Sequence, residues 1–216
     1  MQAYFNGWWD GRFDSESFSY GFSPELSFRP SGRAQISIGA NYNHNLEDVQ
    51  WVRRFGTGPD ATYVFGRIDQ STVGLTTRMD LAFTPTLSLQ MYASPFVSAG
   101  TYGDFRRITD PKAIEYADRF APIATRLDDG TYYSDVTSEP GEESFGNPDF
   151  NFRQFNSNAV LRWEYRPGSA LFVVWAQGRD SFSENGAFDL SGDMDNLFSA
   201  EARNILMVKL SYWINP

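Results

Sequence analysis

Ser17-Phe18-Ser19-Tyr20-Gly21-Phe22-Ser23-Pro24-Glu25-Leu26-Ser27-Phe28-Arg29 alternates without a break: Phe18, Tyr20, Phe22, Pro24, Leu26 and Phe28 fall on one parity, small or charged residues on the other. A strand turns successive side chains to opposite faces, so this stretch predicts a β-strand that is apolar on one side and polar on the other. The short link Pro30-Ser31-Gly32-Arg33 supplies turn residues, and the same alternation then resumes over 34–45 with Ile36, Ile38, Ala40 and Tyr42 on the apolar parity.

The pattern runs on through 71–83, 87–99, 153–165 and 206–214, while 3–13 and 170–178 carry bulky residues on both parities. Eight strands are predicted. Three connections are short and rich in Pro or Gly: Pro30 to Arg33, Thr84-Pro85-Thr86 and Arg166-Pro167-Gly168-Ser169. The connections after 45, 99 and 178 are long, roughly 20, 50 and 25 residues, far beyond ordinary hairpin loops. Short turns at one end and long loops at the other are the asymmetry of an outer-membrane barrel. An aromatic stands two residues before each turn proline: Phe28 before Pro30, Phe83 before Pro85, Tyr165 before Pro167. With Trp163 and Tyr212 they share the apolar parity, and a ring of them at one height would form a membrane-interface girdle.

Composition narrows the class. The 216 residues suit a single domain, 1–216, and 27 acidic against 18 basic residues give a net charge of −9. That acidic balance argues against a nucleic-acid partner. A mean hydropathy of −0.43 and the lack of a long apolar run exclude a membrane-spanning helix, and the absence of cysteine excludes disulfides and thiolate metal sites. In a transmembrane strand only alternate residues meet hydrocarbon, so a negative mean is compatible with an all-β, antiparallel, up-and-down transmembrane barrel with short periplasmic turns and long extracellular loops. The competing architecture is a soluble barrel or sandwich whose apolar face is turned onto a core. The opening residues lack the basic and apolar regions of a signal peptide, which predicts a mature form, a fragment or a piece of a larger protein.

On the polar parity near the short turns lie Glu25, Arg29, Arg78, Asp80, Arg162, Glu164, Arg166 and Lys209. Mixed signs at similar depth predict an ion-paired, plugged lumen instead of an open channel, because an eight-strand barrel has an interior that side chains fill.

Residues 150–216 resemble a known type. Phe150-Asn151-Phe152-Arg153, the run from Asn158 through Arg162-Trp163-Glu164-Tyr165-Arg166-Pro167-Gly168 to Trp175, and Val208-Lys209-Leu210-Ser211-Tyr212-Trp213 are similar to the C-terminal end of large bacterial outer-membrane proteins of unassigned function. Those proteins carry a family 9-like carbohydrate-binding module ahead of a β-barrel. The resemblance implies an outer-membrane location and that these eight strands are the last of a larger barrel. It also implies lipid and lipopolysaccharide as surroundings, and the membrane-insertion machinery as partner during assembly. The usual assembly signal ends on an aromatic; here Ile214-Asn215-Pro216 follow Tyr212 and Trp213.

Candidate sites are few. His44 is the only histidine, a potential base for lipid or peptide hydrolysis, but no nucleophile is singled out and no enzymatic activity is expected. Residues 102–150 hold eleven acidic groups against five basic ones. In the later loop Asp189, Asp193 and Asp195 surround Gly192 as oxygen ligands of calcium would. Thr109 to Phe120 reads as a short helix near 110–120 with Pro111 in its first turn. Loop aromatics Trp51, Tyr102, Tyr116, Tyr132, Tyr133 and Phe145 offer faces for glycans. The expected function is a non-enzymatic membrane barrel module, with a glycan-binding receptor or a small-solute pore as alternatives.

Overall fold

The structure, a computed structural model, describes residues 1–134 and 143–214. Asp135, Glu139 and Glu142 of the acidic loop, and Asn215-Pro216 at the tail, lie outside the described residues. Eight long strands appear where alternation placed them: β1 (Gln2–Gly11), β2 (Phe18–Ser31), β3 (Ala34–Phe55), β4 (Thr62–Thr84), β5 (Leu87–Ile108), and, after an excursion, β10 (Phe150–Arg166), β11 (Ser169–Ser183) and β12 (Arg203–Ser211). They form one antiparallel sheet in the order β1-β2-β3-β4-β5-β10-β11-β12. Among the described residues no helix is long and apolar enough to cross a membrane.

The sheet is open. β1 and β12 are its edges and do not pair with each other, which corrects the expectation of a closed eight-strand barrel. Volume gives a reason: besides its charges, the polar parity carries Tyr4 and Trp8 opposite Glu25 and Gly21, Tyr92 and Phe96 on β5, and Phe172 opposite Lys209 and Val174 opposite Met207 at the far edge. The interior of the smallest barrels is only just wide enough for side chains to fill, so this bulky set favours an open or wider sheet over eight-strand closure.

Two connections differ from expectation. β3 and β4 continue far past residues 45 and 71 as a paired hairpin, so the link between them is only 56–61, with a 3-10 turn at Gly58–Asp60. Alternation fails there because bulges between Glu47 and Gln50, Trp51 and Arg53, and Phe65 and Arg67 shift the parity. The expected helix near 110–120 is a single 3-10 turn, Tyr116–Arg119. Asp110 instead closes a local turn, its Oδ1 accepting from the Lys112 backbone N–H at 3.0 Å, and Ile114 is 93% exposed. A segment with no apolar stripe to bury does not repay helix nucleation.

The rest of the excursion is β structure: β6 (Phe120–Pro122) pairs with the end of β5, and β7 (Thr125–Asp128), β8 (Thr131–Ser134) and β9 (Glu143–Gly146) form a small separate sheet. Val64, Phe105 and Phe145 make the buried core, with Val52, Phe55, Tyr102, Ile123 and Tyr132 around them. That core sits at the loop end on the polar-parity side, since Phe105 and Tyr102 fill the space a Cβ on Gly66 would occupy. Between β11 and β12 the chain forms helix α1 (Leu190–Ser199) in place of the expected cation-binding loop.

Candidate functional site

The apolar parity of the sheet is a surface. Phe28, Phe83, Trp163 and Tyr212 are each about half exposed (47–57%), and Tyr165 lies against Trp163 with ring centroids 6.0 Å apart. The turn geometry refines the predicted ring. Ser31, Thr84 and Arg166 are the equivalent last pairs before the three turns, and each is preceded by a bulge. Counted from these, Phe28 is level with Trp163, whereas Phe83 is level with Tyr165 nearer the turn; the girdle is two rungs deep. A second aromatic group lies at the other end of the same face, where Tyr20 sits 6.0 Å from Tyr42 and 5.2 Å from His44, and Phe22 5.3 Å from Tyr42.

On the polar parity the eight predicted charges do not form one network. Arg162 pairs with Glu164 at 2.8 Å. Arg29 donates to Gln35 Oε1 at 2.5 Å, and Asp80 accepts from Gln90 at 2.9 Å. Arg78 lies over the Tyr92 ring at 5.4 Å and Lys209 over Phe172 at 6.0 Å, while Glu25 lines the same pocket as Arg78 without pairing to it. Arg166 is on the other face: the bulge between Glu164 and Arg166 sets it opposite Ser169, and it donates to the Tyr212 hydroxyl at 2.7 Å. Its parity count was right and its face wrong, because a bulge inserts one residue.

His44 lies on the apolar parity. Its Nδ1 is 3.3 Å from Ser71 Oγ and 3.7 Å from Asp69 Oδ1. In a hydrolytic triad the acid and the nucleophile meet opposite nitrogens of the imidazole. Here both meet the same one, so the trio lacks the relay geometry.

The aspartates around Gly192 serve the helix. Asp189 is the N-cap of α1, its Oδ1 accepting from Ser191 N–H at 3.2 Å. Asp193 is buried; its Oδ1 accepts from Asn151 Nδ2 at 2.7 Å and faces Arg153 Nε at 3.8 Å, and its Oδ2 accepts from Asp189 N–H at 3.1 Å. Asp195 is exposed, two helical positions on and therefore on the opposite side. The three carboxylates do not converge, and among the described residues no group of acids and histidine is arranged for a metal. This corrects the calcium expectation. Arg153 is the residue that sequence reasoning missed: 4% exposed, it donates to Ser183 Oγ at 2.7 Å and has no hydrogen bond at Nε.

The chain entering α1 is fixed by close approach. A Cβ on Gly186 would stand 2.2 Å from the Gly100 carbonyl oxygen, backbone that has nowhere to retreat. Gly186→Ala is expected to lift residues 184–189 from β5 at roughly 1–3 kcal/mol, read as faster amide exchange in this segment with the sheet unchanged.

Of the loop aromatics proposed for glycans, Phe145 is buried, and Tyr132 stacks on it at 5.4 Å with Phe105 packed edge-on. Burial raises the Tyr132 and Tyr116 phenols above their ordinary range, and nearby carboxylates add to it. Tyr133 faces Arg126 at 4.8 Å. Trp51, 56% exposed near the tip of the β3–β4 hairpin, is the one in this set with a largely free face.

These features define an all-β domain: one open antiparallel sheet with an exposed apolar face, a polar face, and structured loops gathered at one end. The chain belongs to the family described as Domain of unknown function (DUF5916), which it matches over residues 1–215. No curated protein and no solved structure matches it.

Proposed function

We propose that this domain is a stretch of outer-membrane β-barrel wall, non-enzymatic, with a polar lumen obstructed at its loop end. The observation that carries this reading is the apolar face. From Phe28 to Tyr20 and from Trp163 to Phe155 it runs eight residues, or about 26 Å at ~3.3 Å per residue, which a strand tilt of ~40° reduces to roughly 20 Å of height, close to the ~25 Å apolar band of such barrels. Aromatics bound it at both ends. A soluble sheet would cover this face with a second layer, since contiguous exposed apolar patches seldom exceed a few hundred Å².

The edges support a larger barrel. β12 exposes Leu206, Val208 and Leu210 on the apolar parity and Ile205 and Met207 on the other, all above 50%. Such an edge invites strand addition, and in hydrocarbon every backbone group must find a partner, so β1 and β12 are read as seams to further strands. An associated family 9-like carbohydrate-binding module belongs to the same reading. The small sheet β7-β8-β9 overhangs the polar side and supports obstruction, and the His44 geometry supports the absence of hydrolysis.

The test is refolding into detergent micelles, followed by gel electrophoresis with and without boiling and by far-ultraviolet dichroism. A β spectrum with a faster unboiled band is expected if the strands close in the micelle; a β spectrum only after co-refolding with the rest of the barrel is expected if β1 and β12 are seams. Monodisperse folding in plain buffer would overturn the membrane reading.

A further inference from the structure

Helix α1 lies on the apolar side of the wall, and the polar groups it covers say why. Asn151, Arg153, Arg179, Ser181 and Ser183 share the parity of Phe155 and Trp163, placed there by the β10–β11 register. Hydrocarbon would not accept that patch. α1 covers it: Asp193 meets Asn151 and Arg153, Leu197 is fully buried, and Arg179 reaches the carbonyls of Phe198 and Ala200 at the helix end.

In exchange the helix presents an apolar stripe. Residues four apart share a helical face, so Asp193 and Leu197 form the wall side, Leu190, Met194 and Phe198 the next stripe, and Ser191, Asp195 and Ser199 the one beyond. The direction of the middle stripe is fixed by one contact. Phe198 stacks on Phe155 at 5.2 Å, and Phe155 lies on the band side of Arg153. The stripe therefore faces the apolar band, with Leu190 41% and Phe198 48% exposed, and Phe188 beside them. Counted from its own turn, Phe155 stands as far up its strand as Tyr20 does, at the band's upper rim.

We infer that α1 is an interfacial helix on the outside of the wall, its Leu190–Met194–Phe198 stripe seated in the outer-leaflet boundary between acyl chains and headgroups and its Asp195 stripe in the headgroup water. This rests on the membrane reading above and adds a lipid-contacting element that strand patterning does not contain. Continuity selects lipid as the occupant: through Phe155 the stripe joins the apolar face at Pro95 and Ala93 of β5, beside the polar row Ser157, Gln177 and Asn204, and an interfacial helix with one apolar stripe needs only ~5–10 Å of immersion.

The chain has no cysteine, so single labels can be introduced by Met194→Cys, Leu190→Cys, Asp195→Cys and, inside the band, Leu75→Cys. Each full chain, with the remaining barrel strands if these are needed for folding, carries a bimane label and is refolded into phosphatidylcholine vesicles. The vesicles contain nitroxide-labelled lipid, with the nitroxide either near the headgroup or deep in the chain. The expected result is quenching of the 194 and 190 labels about twofold stronger by the shallow nitroxide than by the deep one, of the 75 label by the deep one, and of the 195 label by aqueous iodide. Labels at 194 and 190 quenched by iodide like 195, with 75 still quenched by the deep nitroxide, would overturn the helix proposal and leave the membrane reading standing. A 75 label insensitive to both nitroxides would remove both.

Discussion

Asp193→Ala is expected to release α1 from the wall. The carboxylate is 5% exposed and the facing Arg153 4%, so truncation leaves a guanidinium buried without its counter-charge and strips an acceptor from Asn151 Nδ2 and from the Asp189 N–H. Removing one partner of a buried pair costs about 3–5 kcal/mol, more than the pair itself contributes. Because α1 packs chiefly on β5, β10 and β11, the loss should appear as local opening and not as melting of the sheet. Amide exchange across 184–200 should accelerate roughly 10²- to 10³-fold, and proteinase K should nick this segment while the strands stay intact. The double variant Arg153→Met with Asp193→Leu should recover most of the protection, since apolar residues of similar volume often match a buried ion pair. If the single variant leaves exchange unchanged, the pair does not hold the helix.

How much of this was legible in the sequence depends on where bulges fall. In 18–28, 34–46 and 71–81 one face is apolar, the other is polar, and the pairing runs in step, so parity identifies both the strand and its faces. Above Leu46 the β3–β4 hairpin carries two register shifts and the β4–β5 pairing a third, and Val64, Ile68 and Phe105 are buried on the side that is polar lower down, so alternation loses its meaning. Arg166 shows the same failure at a single residue. The proline echo was real, but it marks the bulges beside the turns more than a ring at one height. Asp-rich spacing around glycine fits either a cation loop or a capped helix, so spacing alone does not distinguish α1. The deciding signal was present: Asp189 as cap, followed by Leu190, Met194, Leu197 and Phe198 at helical spacing. The Arg153–Asp193 contact was not legible, since a charge on the apolar parity of a strand finds its partner only through tertiary folding.

Leu75→Arg separates the membrane from the water environment. Leu75 pairs with Ala40 on the apolar face, 37% exposed, six residues from Leu81 at the girdle level and so in the upper half of the proposed eight-residue band. If that face meets hydrocarbon, an arginine there should destabilise the refolded protein by about 2–4 kcal/mol, the penalty falling toward the rims. The same change at Thr76, the next residue and on the polar face, should be nearly silent, within about 0.5 kcal/mol, because that side chain lies on the face already lined by polar and charged groups. Urea unfolding from vesicles measures both variants against the parent. The contrast between neighbours is what matters: a half-exposed position on a water-facing sheet tolerates arginine on either side. Equal, small effects at 75 and 76 would mean that the apolar face meets water or a partner that accommodates charge, and the barrel-wall reading would fall. A large loss for Leu75→Arg with a small one for Leu75→Ala would identify lipid, since burial in a protein core would penalise Leu75→Ala strongly as well, at about 2–5 kcal/mol, whereas lipid fills the space that alanine leaves.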